Sequence, residues 1–173
     1  VNLLLKEFKR IDVLINVAGI SVNGFAHKIS PEVWRSVIDV NLIGAFNVIR
    51  AVLPSMRANN YGRIITISSV VFQRSVVGTS AYSASKSAII GLTRTIALEN
   101  ANTGITCNCV ALGYFDAGLL YQIPEAPREE IRQEIPMKRF GKVHELGNTI
   151  QYLIDNEYMT GQSISLNGGL YMS

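Results

Sequence analysis

The run Ile64-Ile65-Thr66-Ile67 is apolar on both of its alternating faces. A strand of that kind needs cover above and below, which is the situation of a strand inside a parallel sheet. It runs on into Ser69, a loop, and then a helix-like segment starting near Ala81 that carries Tyr82 and Lys86. One strand-loop-helix unit, Ser69 to Lys86, thus sets out a hydroxyl, a phenol and an ammonium.

The spacing has chemical consequences. Tyr82 and Lys86 are four residues apart, so on a helix they share a face, with their Cβ rows about 5–6 Å apart. A cation near a phenol favours the phenolate and draws the Tyr pKa down from about 10, making Tyr82 a usable general acid and base. Ser69 adds a second donor for the same substrate oxygen, and two donors on one carbonyl polarise it toward an alkoxide. In a chain with seven Tyr the Tyr-x-x-x-Lys pair alone is a weak signal. Its position after an Ile-rich strand, with a Ser thirteen residues upstream, is what strengthens it.

Further motifs surround this unit. Asn16-Val17-Ala18-Gly19 follows the strand-like Val13-Leu14-Ile15, Asn41 lies in a buried-looking stretch, and the chain closes with Thr160-Gly161-Gln162 and Asn167-Gly168-Gly169. Together with Ser69 and Tyr82-x-x-x-Lys86, these resemble the short-chain dehydrogenase/reductases, most nearly the 3-oxoacyl-carrier-protein reductase branch. The resemblance runs the length of the chain. It implies an α/β, doubly wound parallel-sheet fold of Rossmann type, with residues 1–173 as one domain. It implies a ketone reductase or alcohol dehydrogenase using NADP or NAD, with a small carbonyl or alcohol substrate, a 3-oxoacyl thioester being favoured.

The residues carry over one by one. Ser69 would orient the carbonyl, Tyr82 protonate its oxygen, and Lys86 lower the Tyr pKa and bind the nicotinamide ribose. Asn41, which by itself reads as a helix cap needing partners, would complete a proton relay. Asn16, Ala18, Gly19 and Gly113, together with Tyr82 and Lys86, would lie against the cofactor, small residues letting the backbone approach it at the strand ends. Val17 stands where a second Asn is commonest. After Leu112-Gly113 the family has a Thr or Ser touching the carboxamide, but this chain has Ala117, a lost hydrogen bond of about 0.5–1.5 kcal/mol. Asn60 and Thr103 fall where carrier-protein reductases place Arg, which keeps a coenzyme A thioester, a small ketone or a cyclic alcohol open as substrates.

The family plan starts with a strand, a Gly-x-x-x-Gly-x-Gly turn and two more strands, and no such turn occurs here. The chain therefore reads as the C-terminal two-thirds of such a protein, and a non-catalytic remnant that acts only in subunit association is the rival reading. The strand Ile11 to Asn16 would then offer a bare apolar edge.

The remaining elements follow in order. A helix end occupies Val1 to Lys9. Ser30-Pro31-Glu32 reads as an N-cap, a first-turn Pro and an acid against the helix dipole, opening a helix through Val40, with a second segment from Asn41 to Met56. Ser87 to Glu99 continues the catalytic helix with apolar residues on more than one face, and by resemblance this helix and its predecessor make a dimer within a tetramer. Ile105 to Leu112 is a strand. Tyr121 to Gly141 reads as a substrate lid, and Tyr114, Phe115, Leu119, Leu120 and Tyr121 suggest either an apolar substrate tail or oligomer contacts. A helix over Val143 to Ile154 and a strand over Ser163 to Leu166 close the chain.

Composition narrows the partners. With 48% hydrophobic residues there is material for a core, and no run of about 18 apolar residues is evident, so no membrane span is expected and a cytoplasmic protein is. The net charge of +3 comes from scattered Lys and Arg without the basic stripe that nucleic acid would want. Cys107 and Cys109, about 6.6 Å apart along one strand face, read as buried thiols rather than a disulfide. With His27 and His144 as surface residues no metal set is expected.

Overall fold

Every residue of the Ile-rich strand Gly62–Ser69 is buried, because both faces are covered. In the computed structural model, which describes residues 1–172, this strand is β2 of a four-stranded parallel sheet. Its neighbours are β1 (Val13–Asn16), β3 (Ile105–Leu112) and β4 (Ser163–Leu166), in the spatial order β1-β2-β3-β4. The register runs from Val13 opposite Arg63, through Ile64 opposite Cys107, to Leu112 opposite Leu166. β3 and β4 have the bounds expected from the sequence. β1 begins two residues later than Ile11.

Helices cover both faces, in the doubly wound arrangement. α1 (Asn2–Phe8) precedes β1 and buries none of its residues. α2 (Pro31–Ile38), a π-helical stretch Asp39–Ile43 and α3 (Gly44–Ala58) join β1 to β2, and α4 (Ser80–Asn100) joins β2 to β3. α5 (Glu125–Glu134) and α6 (Val143–Asp155) precede β4. On one face Ile49, Val52 and Met56 of α3 and Ile96 and Ala97 of α4 pack on Ile64, Ile105 and Cys107. On the other, Leu153 of α6 packs on Ile65, Ile67 and Val110. The period-two alternation of β2 therefore sorts its side chains between α4 and α6.

The residues of β2 that face α4 beyond Ile64 are small and polar. Thr66 Oγ1 lies 2.8 Å from Thr93 Oγ1, and Ser68 Oγ donates to Lys86 O at 2.7 Å. These two bonds fix the height and rotation of α4 on the sheet, and with it the pitch of Tyr82 and Lys86. Ser30 caps α2 as expected, its hydroxyl accepting from Val33 N at 3.3 Å. Cys107 and Cys109 are free and fully buried, and burial pushes the Cys107 thiol up to about 12.

Two expectations need correction. The two helices expected on either side of Asn41 are continuous, and residues 31–58 form one 28-residue helix long and apolar enough to cross a membrane by length and composition alone. Its inner face is instead the cover of the sheet, where Ile49, Val52 and Met56 lie. The apolar surplus read on Ser87 to Glu99 is also mostly internal. Ile89, Ile90 and Ile96 are buried, Leu92 is half-buried, and Leu98 is largely exposed, at 81%. The exposed apolar residues gather instead along the longer helix, at Trp34, Val40, Ile43, Phe46 and Val48.

Candidate active site

Parallel strands end together, so the residues that close β1, β2, β3 and β4 share one edge of the sheet. Asn16 ends β1, Ser69 ends β2, and Gly113 and Asn167 directly follow β3 and β4. Ser69 is extended, with its hydroxyl accepting from Val71 N at 3.4 Å, and a 3-10 turn Val70–Phe72 leads away from it. One turn into α4, Tyr82 is half-buried, and Lys86 Nζ lies 5.7 Å from its ring centroid.

Lys86 is deeply buried, and its ammonium donates to Ile67 O at 2.8 Å. Burial pulls its pKa down to about 8, and Cys109 offsets part of that fall. Tyr82 moves the other way from the sequence reading. Burial raises it above its ordinary value of 10, the Ser69 hydroxyl beside it draws it partly back, and neighbouring Tyr114 adds to the rise. The Lys86 ammonium, 5.7 Å from the Tyr82 ring centroid, donates to the Ile67 carbonyl.

The π-helical stretch carries Asn41 inward. Such turns often mark functional positions. Asn41 Oδ1 accepts from Ile20 N at 2.8 Å, and its Nδ2 donates to Ile20 O at 2.9 Å and to Ser85 Oγ at 3.0 Å. The side chain is thus a clamp between the Asn16–Gly19 turn and α4. A Cβ on Gly19 would stand 3.3 Å from both Asn41 Oδ1 and Lys86 Nζ, so the glycine keeps open the space where these two side chains meet. Gly113 is equally constrained, since a Cβ there would come 2.7 Å from Asn167 Cα. Ala18 and Val17 are exposed, while Asn16 is half-buried where β1 pairs with Thr66.

Sequence reasoning missed Ser68, Ser85 and Thr66, which position the helix and the clamp. The Ser68-Ser69 doublet was the available signal, because successive strand residues must face opposite sides. His27 and His144 are exposed, and no group of three metal-ligating side chains forms among the described residues. Of the expected apolar tail contacts, Leu120 is core, Phe115 packs against Gly141, and Tyr121 is exposed with its hydroxyl donating to Asp116 at 2.6 Å.

A parallel sheet covered by helices on both faces is a Rossmann-type α/β fold, and here a hydroxyl, a phenol and an ammonium stand at one end of it. The family model described as enoyl-(acyl carrier protein) reductase matches residues 1–171. The chain is 40% identical over 172 residues to 3-oxoacyl-[acyl-carrier-protein] reductase FabG of Thermotoga maritima, covering 98% of this chain and 70% of that protein. It is 37% identical over 171 residues to the same-named protein of Staphylococcus epidermidis, with the same coverage. It is 39% identical over 164 residues to acetoacetyl-CoA reductase of Shinella zoogloeoides, covering 93% of this chain and 68% of that protein. The chain belongs to the short-chain dehydrogenase/reductase family.

Proposed function

We propose that the chain reduces the ketone of a 3-oxoacyl thioester to the 3-hydroxyacyl product with NADPH or NADH. The observation that carries this reading is the convergence of Ser69, Tyr82 and Lys86 at the carboxyl edge of the sheet. The names of the relatives add the acyl thioester. Bound nicotinamide would supply the hydride that reaches the ketone carbon. The chain's own residues do the rest. Tyr82 gives its phenolic proton to the developing alkoxide, and the Ser69 hydroxyl holds the same oxygen in line. Lys86 fits a ribose, since only one of its three N–H donors is engaged, by Ile67 O. Gly19 spares Lys86 and Asn41 a Cβ that would stand 3.3 Å from each, so the Lys86 side chain keeps its place. Asn41 keeps the Asn16–Gly19 turn against α4, and the relay role inferred for it starts from that clamped position.

The charge states predict a direction. Because burial raises the Tyr82 pKa, the phenol keeps its proton through neutral pH, and that is the form reduction consumes. Oxidation needs the phenolate, which becomes available only as pH climbs toward and above the raised value. Lys86 is cationic below about 8 and neutral above it. Reduction should therefore be flat below about pH 8 and fall above it, while oxidation rises with pH. Initial rates in both directions across this range check the prediction. Oxidation already at its plateau at neutral pH would contradict it.

The carrier is tested by comparing turnover of one 3-oxoacyl chain on coenzyme A and on acyl carrier protein, with a small cyclic ketone as control. Asn60 and Thr103 flank the contact where Gly104 packs on Asn60 O, at the amino end of β2 and β3, and neither brings a charge there for an acidic carrier. Coenzyme A is expected to be turned over at least as well as carrier protein; a strong preference for carrier protein would count against that. One observation favours the rival assembly role. β1 pairs on one side only, and Ile15 and Val17 beside that edge are 41% and 55% exposed. Concentration-dependent oligomers that bind no dinucleotide would favour that role.

A further inference from the structure

α5 is held in place by very little. None of its residues is buried. It hangs between two buried anchors, Leu120 in the 3-10 stretch before it and Ile135 just after it. The second anchor is firm, because Ile135 Cγ2 lies against Gly168, Met137 N donates to Gly168 O at 3.2 Å, and Pro136 packs on Gly169. The charged side chains along the helix mostly pair with one another or with adjacent turns. Arg132 binds Glu129, Gln133 donates to Glu129, and Arg132 also reaches Lys138 O. Among the described residues one side-chain bond joins α5 to a distant element. Arg74 Nη2 donates to Glu134 Oε2 at 2.6 Å.

Arg74 is presented from a rigid base. It follows Ser69 and the 3-10 turn, with its own backbone N–H donating to Val70 O at 2.8 Å and that of Gln73 donating to the same oxygen at 3.0 Å. Val70 and Val71 beneath it are buried. The pair spans from the loop that leaves β2 to the carboxyl end of α5, next to Tyr114. Burial raises the Tyr114 phenol, with Arg74 drawing it down and Glu134 pushing it up. Arg74 and Glu134 are 41% and 55% exposed as side chains, so the pair is of the weak, salt-screened kind that breaks and re-forms readily. A segment without buried contacts of its own opens at low cost. Lid opening of this sort sets product release in many enzymes.

We infer that Arg74 is a positioning residue whose ion pair with Glu134 latches α5 to the loop that follows Ser69, so that salt and charge control lid closure. The latch stands on the fold alone, and only its effect on turnover rests on the reaction proposed above. Backbone hydrogen exchange of residues 125–134 tests it in the parent chain, Arg74→Glu, Glu134→Arg and the double charge swap. Each single change should speed exchange in α5 about two- to fivefold, as loss of an exposed pair does, with β2 and α4 unaltered. The swap should restore the parent rate, and high salt should speed the parent but not the single variants. Tyr82→Phe should leave α5 exchange untouched, so an error about the reaction would not masquerade as an error about the latch. Unchanged exchange in the single variants, or failure of the swap to restore it, would overturn the inference.

Discussion

Tyr82→Phe is expected to lower turnover by about two to four orders of magnitude, the usual worth of a positioned general acid, while leaving the fold intact. The ring is retained, so the packing beside Lys86, 5.7 Å from its centroid, is kept. The helix is held by bonds that do not involve the phenol. Ser85 Oγ donates to the Tyr82 backbone carbonyl at 2.8 Å and Ser68 to that of Lys86 at 2.7 Å. What disappears is one proton donor beside the Ser69 hydroxyl. Steady-state rates with thermal melts alongside give the answer. An unchanged melt with most of the turnover lost is the predicted result, and a variant retaining more than about a tenth of parent activity would remove Tyr82 from the proposed role.

The largest effect on stability is expected at the opposite end of the sheet. Arg63, the second residue of β2, is 2% exposed. Its Nε donates to Ile154 O at 2.9 Å, its Nη1 to Gly62 O at 2.9 Å and Gly104 O at 3.1 Å, and its Nη2 to Glu157 at 2.8 Å. The Tyr61 ring stacks at 4.3 Å. One guanidinium thus satisfies carbonyls from the end of α6 and from the turns before β2 and β3, and puts a cation at the negative end of a helix dipole. Arg63→Leu keeps much of the volume but takes the guanidinium donors from Ile154 O and Gly62 O and leaves Gly104 O only the Gly62 N–H at 3.3 Å. At about 1–3 kcal/mol for each buried group left unsatisfied, the loss should total about 3–5 kcal/mol. That corresponds to a fall in Tm of roughly 10–15 °C for a chain of this size. Thermal and urea unfolding followed by circular dichroism measure it. A loss below about 1 kcal/mol would mean that water replaces the guanidinium at all of these carbonyls.

The contrast between these two residues shows what the sequence discloses. Tyr82 was legible because its chemistry lies within one strand-loop-helix unit, at a spacing that local geometry interprets. The strands Ile105–Leu112 and Ser163–Leu166 were legible for the same reason, their apolar runs being bounded by turn residues. Nothing in the sequence around Arg63 says that carbonyls 41 and 91 residues away converge on it. Asn41 was read as a break between two helices. The helix instead passes through it by a π-helical stretch, because Ile20, 21 residues earlier, takes both ends of its amide.

The electrostatics were the least legible part. The four-residue spacing of Tyr82 and Lys86 did place them on one helical face, but spacing does not say where an ammonium points. The Ile67 carbonyl accepts from it, and burial is the largest influence on each of the two groups. That is why Tyr82 is raised rather than lowered, and why the pH dependence follows from desolvation of the two side chains rather than from their proximity.

The most direct test of the central claim is isotopic. The chain would be incubated with acetoacetyl-coenzyme A and a reduced nicotinamide dinucleotide bearing deuterium at its transferable position, and the product examined by mass spectrometry. The predicted result is a 3-hydroxyacyl product with the deuterium on its carbinol carbon, formed by the parent chain and not by Tyr82→Phe. Recovery of unreduced thioester from a folded chain that demonstrably binds the dinucleotide would contradict the account.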